Sequence, residues 1–178
     1  MKENCMEATF AQLENTPLGP LSFVAGEKGL QGVGFMSLKV FKQRVALTDK
    51  APSLKGFETL SVLLVEVNAY LHGLQREFSV DIDWGVVDGF QEQVLRLTAD
   101  ISYGQVSTYG AIAKRLGKPG AARAVGAALG RNPMPIVIPC HRVIGSDNTL
   151  HGYNGGEENK AFLLALEGHT IKNHQVFL

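Results

Sequence analysis

The sequence predicts an α+β protein in two parts. Residues 1–88 are predicted to form a small antiparallel sheet with a covering helix, and residues 89–178 a mostly helical domain with a helix-turn-helix. Two observations support this prediction. The first half has strand patterns separated by Gly and Pro, whereas the second half has helical patterns that end at Gly. The 178 residues, 45% of them hydrophobic, are enough for two small domains.

Four stretches of the first half have the pattern of β-strands. EATFAQL, LSFVAG and GLQGVGFM are separated by Pro17, Gly19 and Pro20 and by the region 26–29. FSVDIDW, residues 78–84, alternates strictly between apolar and polar side chains. That alternation predicts a half-buried antiparallel strand.

A helix is predicted before the last of these strands. Apolar residues recur there at helical spacing, which is typical of an amphipathic helix that covers a sheet, from 57 to 73. Gly73 would end it. The residues of its expected buried face are Phe57, Leu60, Leu64, Val67, Leu71 and Leu74.

The second half contains two short helices joined by a turn. A helix from Phe90 comes first, and the pair follows at 108–116 and 119–130. Ser107 or Thr108 can cap the first helix of the pair. Two short helices in this arrangement predict a helix-turn-helix.

The second helix of the pair, GAARAVGAALG, is almost bare. Val125 and Leu129 can face the core, and Arg123 is the one long polar side chain. Such a surface suits close approach to a nucleic-acid groove, and it suits tight helix packing equally well. The small residues are Ala121, Ala122, Ala124 and Ala128.

The charges are unevenly distributed although the formal net charge is zero. Residues 1–89 carry 8 Lys/Arg and 11 Asp/Glu, a net charge of −3, and the remainder carries +3. No acidic residue occurs between Gly104 and Ser146, where there are six basic ones. The segment can present a basic face to a polyanion, or it can be an ordinary solvated surface.

The chain has no apolar run of roughly 18 residues and no apolar signal core at its N-terminus. We therefore expect no membrane span and no export. The two cysteines, Cys5 and Cys140, are far apart and fit a reduced setting. An intracellular protein is expected, cytoplasmic in a prokaryote or nuclear in a eukaryote.

The motif with candidate chemistry is PIVIPCHRVIG, residues 135–145. Its prolines predict an extended chain that ends at Cys140, followed by His141 and Arg142 in an acid-free context. Such surroundings stabilise a thiolate, although an isolated cysteine is often simply buried. Glu167, after a predicted helix at 157–166, can complete a thiol–imidazole–carboxylate relay, or it can be an ordinary helix-terminal residue.

These motifs carry a family resemblance. AARAVGAAL, NPMPIVIPCHRVIG and GYNGGEENKAFLLALEG resemble the O6-alkylguanine-DNA alkyltransferases, or methylated-DNA–protein-cysteine methyltransferases. The likeness runs from about Phe90 to Gly168 and is weaker in TPLGPL and YLHG. The resemblance implies an RNase H-like fold for the first domain.

The same resemblance implies the chemistry. Cys140 would accept an alkyl group, such as methyl, from O6 of guanine, and also from O4 of thymine, in DNA, once per molecule. His141 would act as general base through water, and Glu167 would orient it. The family uses no metal or organic cofactor, and none is expected here.

The resemblance also implies how DNA is bound. Double-stranded DNA containing O6-alkylguanine would lie with its minor groove on the bare helix while the damaged base is flipped out, and a monomer would suffice. Arg123 would fill the gap in the stack. The residues implied to contact DNA are Arg123, Ala121, Ala122, Ala124, Tyr109 and Arg142. Those implied to hold the base are Tyr109, Val143, Tyr153, Asn154 and Asn132. Asn132 is also implied to link the helix-turn-helix to the active-site strand.

The sequence departs from the family pattern at two pocket positions. His151 stands where a small residue is expected, and Asn154 stands where relatives often carry Ser or Ala. No zinc site is predicted, since Cys5 has no neighbouring Cys and no His before His72. Two other functions are compatible with these residues: a lesion-binding protein of the same fold that transfers nothing, and a Cys-His-Glu thiol hydrolase.

Overall fold

The computed structural model describes residues 8–45 and 52–177. The chain divides into two compact units, Met1–Val86 and Val87–Leu178. The division lies two residues before the boundary that the sequence predicts. Cys5 lies outside the described residues.

The first unit contains an antiparallel sheet of three strands. These are β1 (Thr9–Leu13), β2 (Leu21–Gly26) and β3 (Gly29–Gly34), in the order β1-β2-β3. All six residues of β2 are buried, as expected for the central strand. The three strands predicted from the sequence are confirmed, whereas the RNase H-like comparison stays a prediction.

Two helices accompany this sheet, α1 (Leu38–Val45) and α2 (Leu54–Leu71). Ser53 caps α2 by accepting a hydrogen bond from the Gly56 amide. A Cβ on Gly56 would lie 2.6 Å from the carbonyl oxygen of Ala25, so this glycine lets α2 pack closely on β2. The covering helix was predicted, but α1 was not.

The buried face of α2 is rotated from the predicted one. Phe57 and Leu74 are 62% and 82% exposed, so the prediction was wrong for both residues. Leu74 lies beyond the helix, which ends in a left-handed turn at Gly73 (φ 72°). The buried residues are Gly56, Thr59, Leu60, Leu63, Glu66, Val67, Tyr70 and Leu71.

The predicted antiparallel strand at 78–84 was also wrong. Residues 78–84, all within the described range, make a single parallel bridge, between Ile82 and Leu30. Asp83 breaks the alternation because it is buried. Its carboxylate accepts hydrogen bonds from the side-chain amide of Gln31 at 2.9 Å and from the backbone amide of Gly85 at 3.0 Å. The chain then turns into a short 3₁₀ segment, Trp84–Val86.

The second unit is mostly helical, as predicted. Its core includes residues of the first three helices, and a second buried cluster consists of Ile144, Leu150, Leu164 and Val176. In chain order the elements are α3 (Gly89–Ala99), β4 (Ser107–Thr108), α4 (Tyr109–Arg115), α5 (Ala122–Gly130), β5 (Val143–Ile144), α6 (Glu157–Leu166), β6 (Thr170–Lys172) and β7 (Gln175–Phe177).

Helices α4 and α5 form the predicted two-helix unit. Thr108 caps α4 by accepting from the Ala111 amide, and a left-handed Gly117 (φ 70°) ends it. Val125 and Leu129 are buried, as predicted. Helix α5 begins at Ala122 rather than at 119, because residues 119–121 still belong to the turn.

Strands β4 and β5 pair in parallel, Ser107 with Val143 and Thr108 with Ile144. Because Tyr109 follows β4 and Cys140 precedes β5, this short pairing places the start of α4 beside the cysteine turn. Among the described residues, no helix is long and apolar enough to cross a bilayer.

Candidate active site

Cys140 lies on a tight turn rather than at the end of an extended segment. Residues Cys140–Arg142 form one turn of 3₁₀ helix, and the Val143 amide donates back to the Cys140 carbonyl. The segment before it also folds back, since the Ile138 amide donates to the Met134 carbonyl at 2.9 Å. The predicted extended run was therefore wrong. Proline restricted each residue locally, but Ile136 adopts a left-handed φ of 75°, which reverses the chain.

Asn132 fixes the thiol from the end of α5. Its Nδ2 group donates to the Ile138 carbonyl at 3.0 Å and to Sγ of Cys140 at 3.1 Å. Its Oδ1 atom accepts from the Met134 amide at 3.0 Å. This fully buried amide thus joins the helix-turn-helix to the cysteine turn, the link that the resemblance implied for Asn132.

The relay predicted from His141 to Glu167 is present in the geometry. His141 Nε2 lies 2.9 Å from Oε1 of Glu167, and both side chains are fully buried. A charged carboxylate there accepts the Nε2 hydrogen, which leaves the lone pair on Nδ1. The structure therefore orients the imidazole with Nδ1 as its basic atom.

Glu167 is held where α6 ends. It is the C-cap residue, and Gly168 (φ 97°) ends the helix in a left-handed turn. A carboxylate at a helix C-terminus meets the negative end of the helix dipole. That cost is offset by bonds from His141, from the Gly104 amide at 3.1 Å, and from Arg142.

Arg142 does not serve the role that the sequence suggested. Its side chain is 7% exposed, and Nη2 donates to Glu167 at 2.8 Å while Nε lies 3.0 Å from the other carboxylate oxygen. Nη1 donates to the Ile101 carbonyl. The prediction that Arg142 contacts DNA was wrong, because a basic residue in an acid-free segment found its carboxylate 25 residues away.

Burial and hydrogen bonding set the protonation of these groups. Burial would raise the pKa of Glu167, but bonds from His141 and Arg142 outweigh it and hold that pKa well below its usual range. Burial lowers the pKa of His141 despite the opposing effect of Glu167. At neutral pH the pair is therefore a neutral imidazole beside a carboxylate, which suits a base.

The thiol itself is not activated in this state. Cys140 is 5% exposed, and burial raises its pKa to about 11, although Asn132 and Lys160 both act in the opposite direction. The expectation of a stabilised thiolate was therefore wrong. The sequence showed the basic neighbours, but it could not show that Arg142 is neutralised by Glu167 and that water is excluded.

Lys160 is a site residue that the sequence analysis missed. It is 0% exposed, and its Nζ group donates to the carbonyls of Val143, at 2.7 Å, and Leu150. Burial lowers its pKa to about 8. A signal was available, since Lys160 precedes the buried Leu163 and Leu164 at helical spacing. Val143 thus lies in the site, with its carbonyl already bound to Lys160.

A cavity of about 580 Å³ opens beside this site. Tyr109 and Tyr153 line it, together with Arg123 and Ala122 of α5 and with Asn154. Burial raises the pKa of Tyr109, and a thiolate formed at Cys140 would raise that pKa further. Arg123 and Ala124 are exposed and Ala121 is half-buried, so α5 presents small side chains and one arginine to solvent.

The structure thus brings together Cys140, His141, Glu167, Asn132 and Val143, and it places Tyr109, Tyr153, Asn154 and Arg123 around the adjacent cavity. A buried thiol beside a buried base and a two-helix unit is the arrangement expected of a cysteine-dependent enzyme that acts on nucleic acid. Among the described residues, no three His, Cys, Asp or Glu side chains are grouped as a metal site requires.

Comparisons with known proteins specify this class. The family model for the DNA-binding domain of 6-O-methylguanine DNA methyltransferase matches residues 89–169. Methylated-DNA–protein-cysteine methyltransferases of Mycobacterium tuberculosis H37Rv and Methanosarcina acetivorans are 38% and 39% identical over 86% of this chain, covering 88% and 94% of theirs. A crystal structure of Mycobacterium tuberculosis OGT in complex with DNA is 36% identical with a TM-score of 0.72, over 89% of this chain and 92% of that one.

The chain belongs to the family of methylated-DNA–protein-cysteine methyltransferases. It is a DNA-binding repair enzyme that reverses damage by direct alkyl transfer.

Proposed function

We propose that Cys140 is the acceptor of the alkyl group and that the substrate is O6-alkylguanine in double-stranded DNA. The observation that carries the assignment is the position of Cys140 among Asn132, the His141–Glu167 pair and the tyrosine-lined cavity. Within the described residues, Cys140 is the only free cysteine. Cys5, outside that range, is the comparison thiol for the test.

The chemical step is an in-line displacement at the alkyl carbon. The bond from Sγ to carbon forms while the bond from carbon to O6 of guanine breaks, and both electrons of the broken bond stay with the base. The thiol proton passes through a water molecule to His141 Nδ1, and the Tyr153 hydroxyl gives a proton to the departing guanine. Return of the imidazolium proton to Tyr153 completes the balance, so that one proton in total moves from sulfur to base. The thioether is not hydrolysed, so each molecule acts once.

Each remaining site residue has a proposed part in this step. Glu167 stays anionic and stabilises the imidazolium as His141 gains its proton. Tyr153 and the Asn154 amide hold the base, and the Val143 carbonyl can accept a second hydrogen bond beside that from Lys160. Tyr109 crowds the phosphate of the extruded nucleotide.

DNA is proposed to lie with its minor groove on α5. That groove is about 6 Å wide, so the small side chains of Ala121, Ala122 and Ala124 suit close approach. Extruding a base costs a few kcal/mol, and Arg123 would fill the vacated stack. A monomer suffices, because every residue of this proposed machinery lies in one unit of one chain.

The test is a count of methyl groups transferred from a duplex that contains O6-methylguanine. We expect one per protein molecule, located by mass spectrometry on the peptide that contains Cys140. Cys140→Ser should bind the duplex and receive no methyl group, whereas Cys5→Ser should behave as wild type.

Methylation of the Cys140→Ser protein would move the acceptor to Cys5. Repeated turnover on a thioester or ester would instead favour a hydrolase.

A further inference from the structure

A second chain of polar side chains stands beside the cavity, apart from the relay at Cys140. Thr149 Oγ1 donates to Oδ1 of Asp147 at 2.6 Å, and His151 Nε2 lies 2.8 Å from the same hydroxyl. A hydroxyl has one hydrogen, which goes to the carboxylate. The imidazole must therefore donate its Nε2 hydrogen to Thr149, and its tautomer is fixed.

The local backbone is built around this chain. A Cβ on Gly145 would lie 2.4 Å from Asp147 Oδ1, 2.6 Å from Thr149 Oγ1 and 2.6 Å from His151 Nε2. Glycine at 145 thus leaves the space in which all three polar atoms meet. His151 itself has a left-handed φ of 51°, which is uncommon for a residue with a side chain.

The loop that carries the chain is held on both sides. The Leu150 amide donates to the His174 carbonyl at 3.0 Å, and the Val176 amide donates to the backbone carbonyl of Asn148 at 2.9 Å. Lys160 of α6 donates to the Leu150 carbonyl. His151 is therefore presented by a fixed loop although its side chain is 56% exposed.

What His151 contacts is Tyr109. The two rings meet edge to face, with centroids 6.1 Å apart and an interplanar angle of 63°, and both residues line the cavity. Gly126 of α5 is also close to the Tyr109 ring, and Lys160 Nζ lies 6.0 Å from its centroid. Tyr109 thus lies beside Gly126, Lys160 and His151, and the His151 ring is held in turn by its hydrogen bond to Thr149.

We propose that Asp147, Thr149 and His151 form a positioning relay that holds the Tyr109 ring in the cavity wall for the extruded nucleotide. The relay acts through Tyr109 and not on the sulfur, so none of its members is a catalytic residue. This inference rests on the proposed function, because it assigns a use to the cavity in alkyl transfer.

The test compares variants that break the hydrogen bonds among Asp147, Thr149 and His151 with variants that keep them. Thr149→Val removes the hydroxyl, His151→Phe keeps a ring but loses Nε2, and Gly145→Ala displaces all three polar atoms without altering any of them. Thr149→Ser keeps the hydroxyl. Ser146→Ala changes a residue of the same loop that takes no part in these hydrogen bonds. Methyl transfer from duplex DNA is measured against DNA concentration for each protein.

We expect the three disruptive variants to lose about tenfold in the rate at saturating DNA, because the ring that positions the extruded nucleotide is no longer held by a hydrogen-bonded neighbour. The DNA concentration at half-maximal rate should change less than about twofold, because the small residues of α5 that are proposed to meet the groove are unchanged. Thr149→Ser and Ser146→Ala should match wild type. In a Tyr109→Leu background, Thr149→Val should cause no further loss, because the ring that it positions is gone.

A direct readout separates this inference from the proposed function. In protein with labelled tyrosine, the ring resonances of Tyr109 should move in Thr149→Val and Gly145→Ala and stay in place in Thr149→Ser. Unmoved resonances, wild-type rates in the disruptive variants, or an undiminished loss in the Tyr109→Leu background would each overturn the relay. Failure of the wild-type protein to methylate Cys140 would overturn the function, and the resonances would still test the relay.

Discussion

Lys160 and Cys140 should make the stability of this protein depend on pH in opposite directions. Burial moves the pKa of Lys160 from 10.5 to about 8 and that of Cys140 from 9.0 to about 11. Between about pH 8 and 10.5 the unfolded chain holds more protons at Lys160 than the folded one, so that group adds stability as the pH rises. Between about pH 9 and 11 the folded chain holds more protons at Cys140, so that group removes stability.

The magnitudes follow from 1.36 kcal/mol per pH unit. From pH 7.5 to pH 10, Lys160 should add about 2 kcal/mol to the free energy of unfolding, and Cys140 should remove about 1 kcal/mol. Cys140→Ser keeps only the first effect, so its stability should rise over this interval by about 1 kcal/mol more than that of wild type. Lys160→Met keeps only the second, so its stability should rise about 2 kcal/mol less than that of wild type.

Urea unfolding followed by circular dichroism at both pH values measures these differences. Ionisable groups away from the site are common to the three proteins and cancel in the comparison. Cys140 acts on the pKa values of Tyr109 and Lys160, so the two differences are only approximately additive. Lys160→Met also leaves the buried carbonyls of Val143 and Leu150 without their donor, at a cost of about 1–3 kcal/mol each. If that variant does not fold, Cys140→Ser against wild type still decides. Parallel pH dependences in those two proteins would refute the buried, protonated thiol.

Three further predictions concern single side chains. Glu167→Gln should slow methyl transfer by about 10²–10⁴-fold, since an amide does not stabilise imidazolium. It should also lower the free energy of unfolding, because buried Arg142 loses its carboxylate. An unchanged rate of Cys140 alkylation by a small reagent, measured where the variant is folded, would make Glu167 purely structural. Arg123→Ala should slow repair of duplex O6-methylguanine while the reaction with free O6-benzylguanine changes little, and equal losses on both substrates would contradict a role in the base stack. Arg142→Met should lower the free energy of unfolding by about 3–5 kcal/mol, because the buried carboxylate of Glu167 loses its cationic partner. Urea unfolding measures this difference. A loss below about 1 kcal/mol would show that Arg142 does not stabilise Glu167.

The sequence identified most elements whose signal is local. Three strands of the first unit, the covering helix and the two short helices were all predicted from spacing and from Gly and Pro. The wrong predictions at residues 78–84 and at Arg142 share a cause, which is a bonding partner far away in the sequence. FSVDIDW alternates like a strand, but buried Asp83 is satisfied by Gln31, 52 residues away, and that contact is invisible in a local pattern.

The candidate site shows the same limit. The residue types at Cys140, His141 and Glu167 were recognisable, and the structure places His141 against Glu167. Arg142 and Lys160 were misjudged or missed, because a cation in sequence is assumed to be solvated. Here Arg142 binds a carboxylate and Lys160 binds two backbone carbonyls, and both side chains are buried.

The buried thiol constrains how the reaction can begin. With a pKa of about 11, roughly one Cys140 in 10⁴ is ionised at pH 7, so the resting protein holds little nucleophile. A protein that reacts once gains from this, because a thiol that is protonated and 5% exposed resists oxidation and stray alkylation. The proton must then leave during the reaction itself, and neutral His141 beside anionic Glu167 is built to take it. We infer that substrate in the cavity, rather than the resting electrostatics, brings Cys140 to its reactive state.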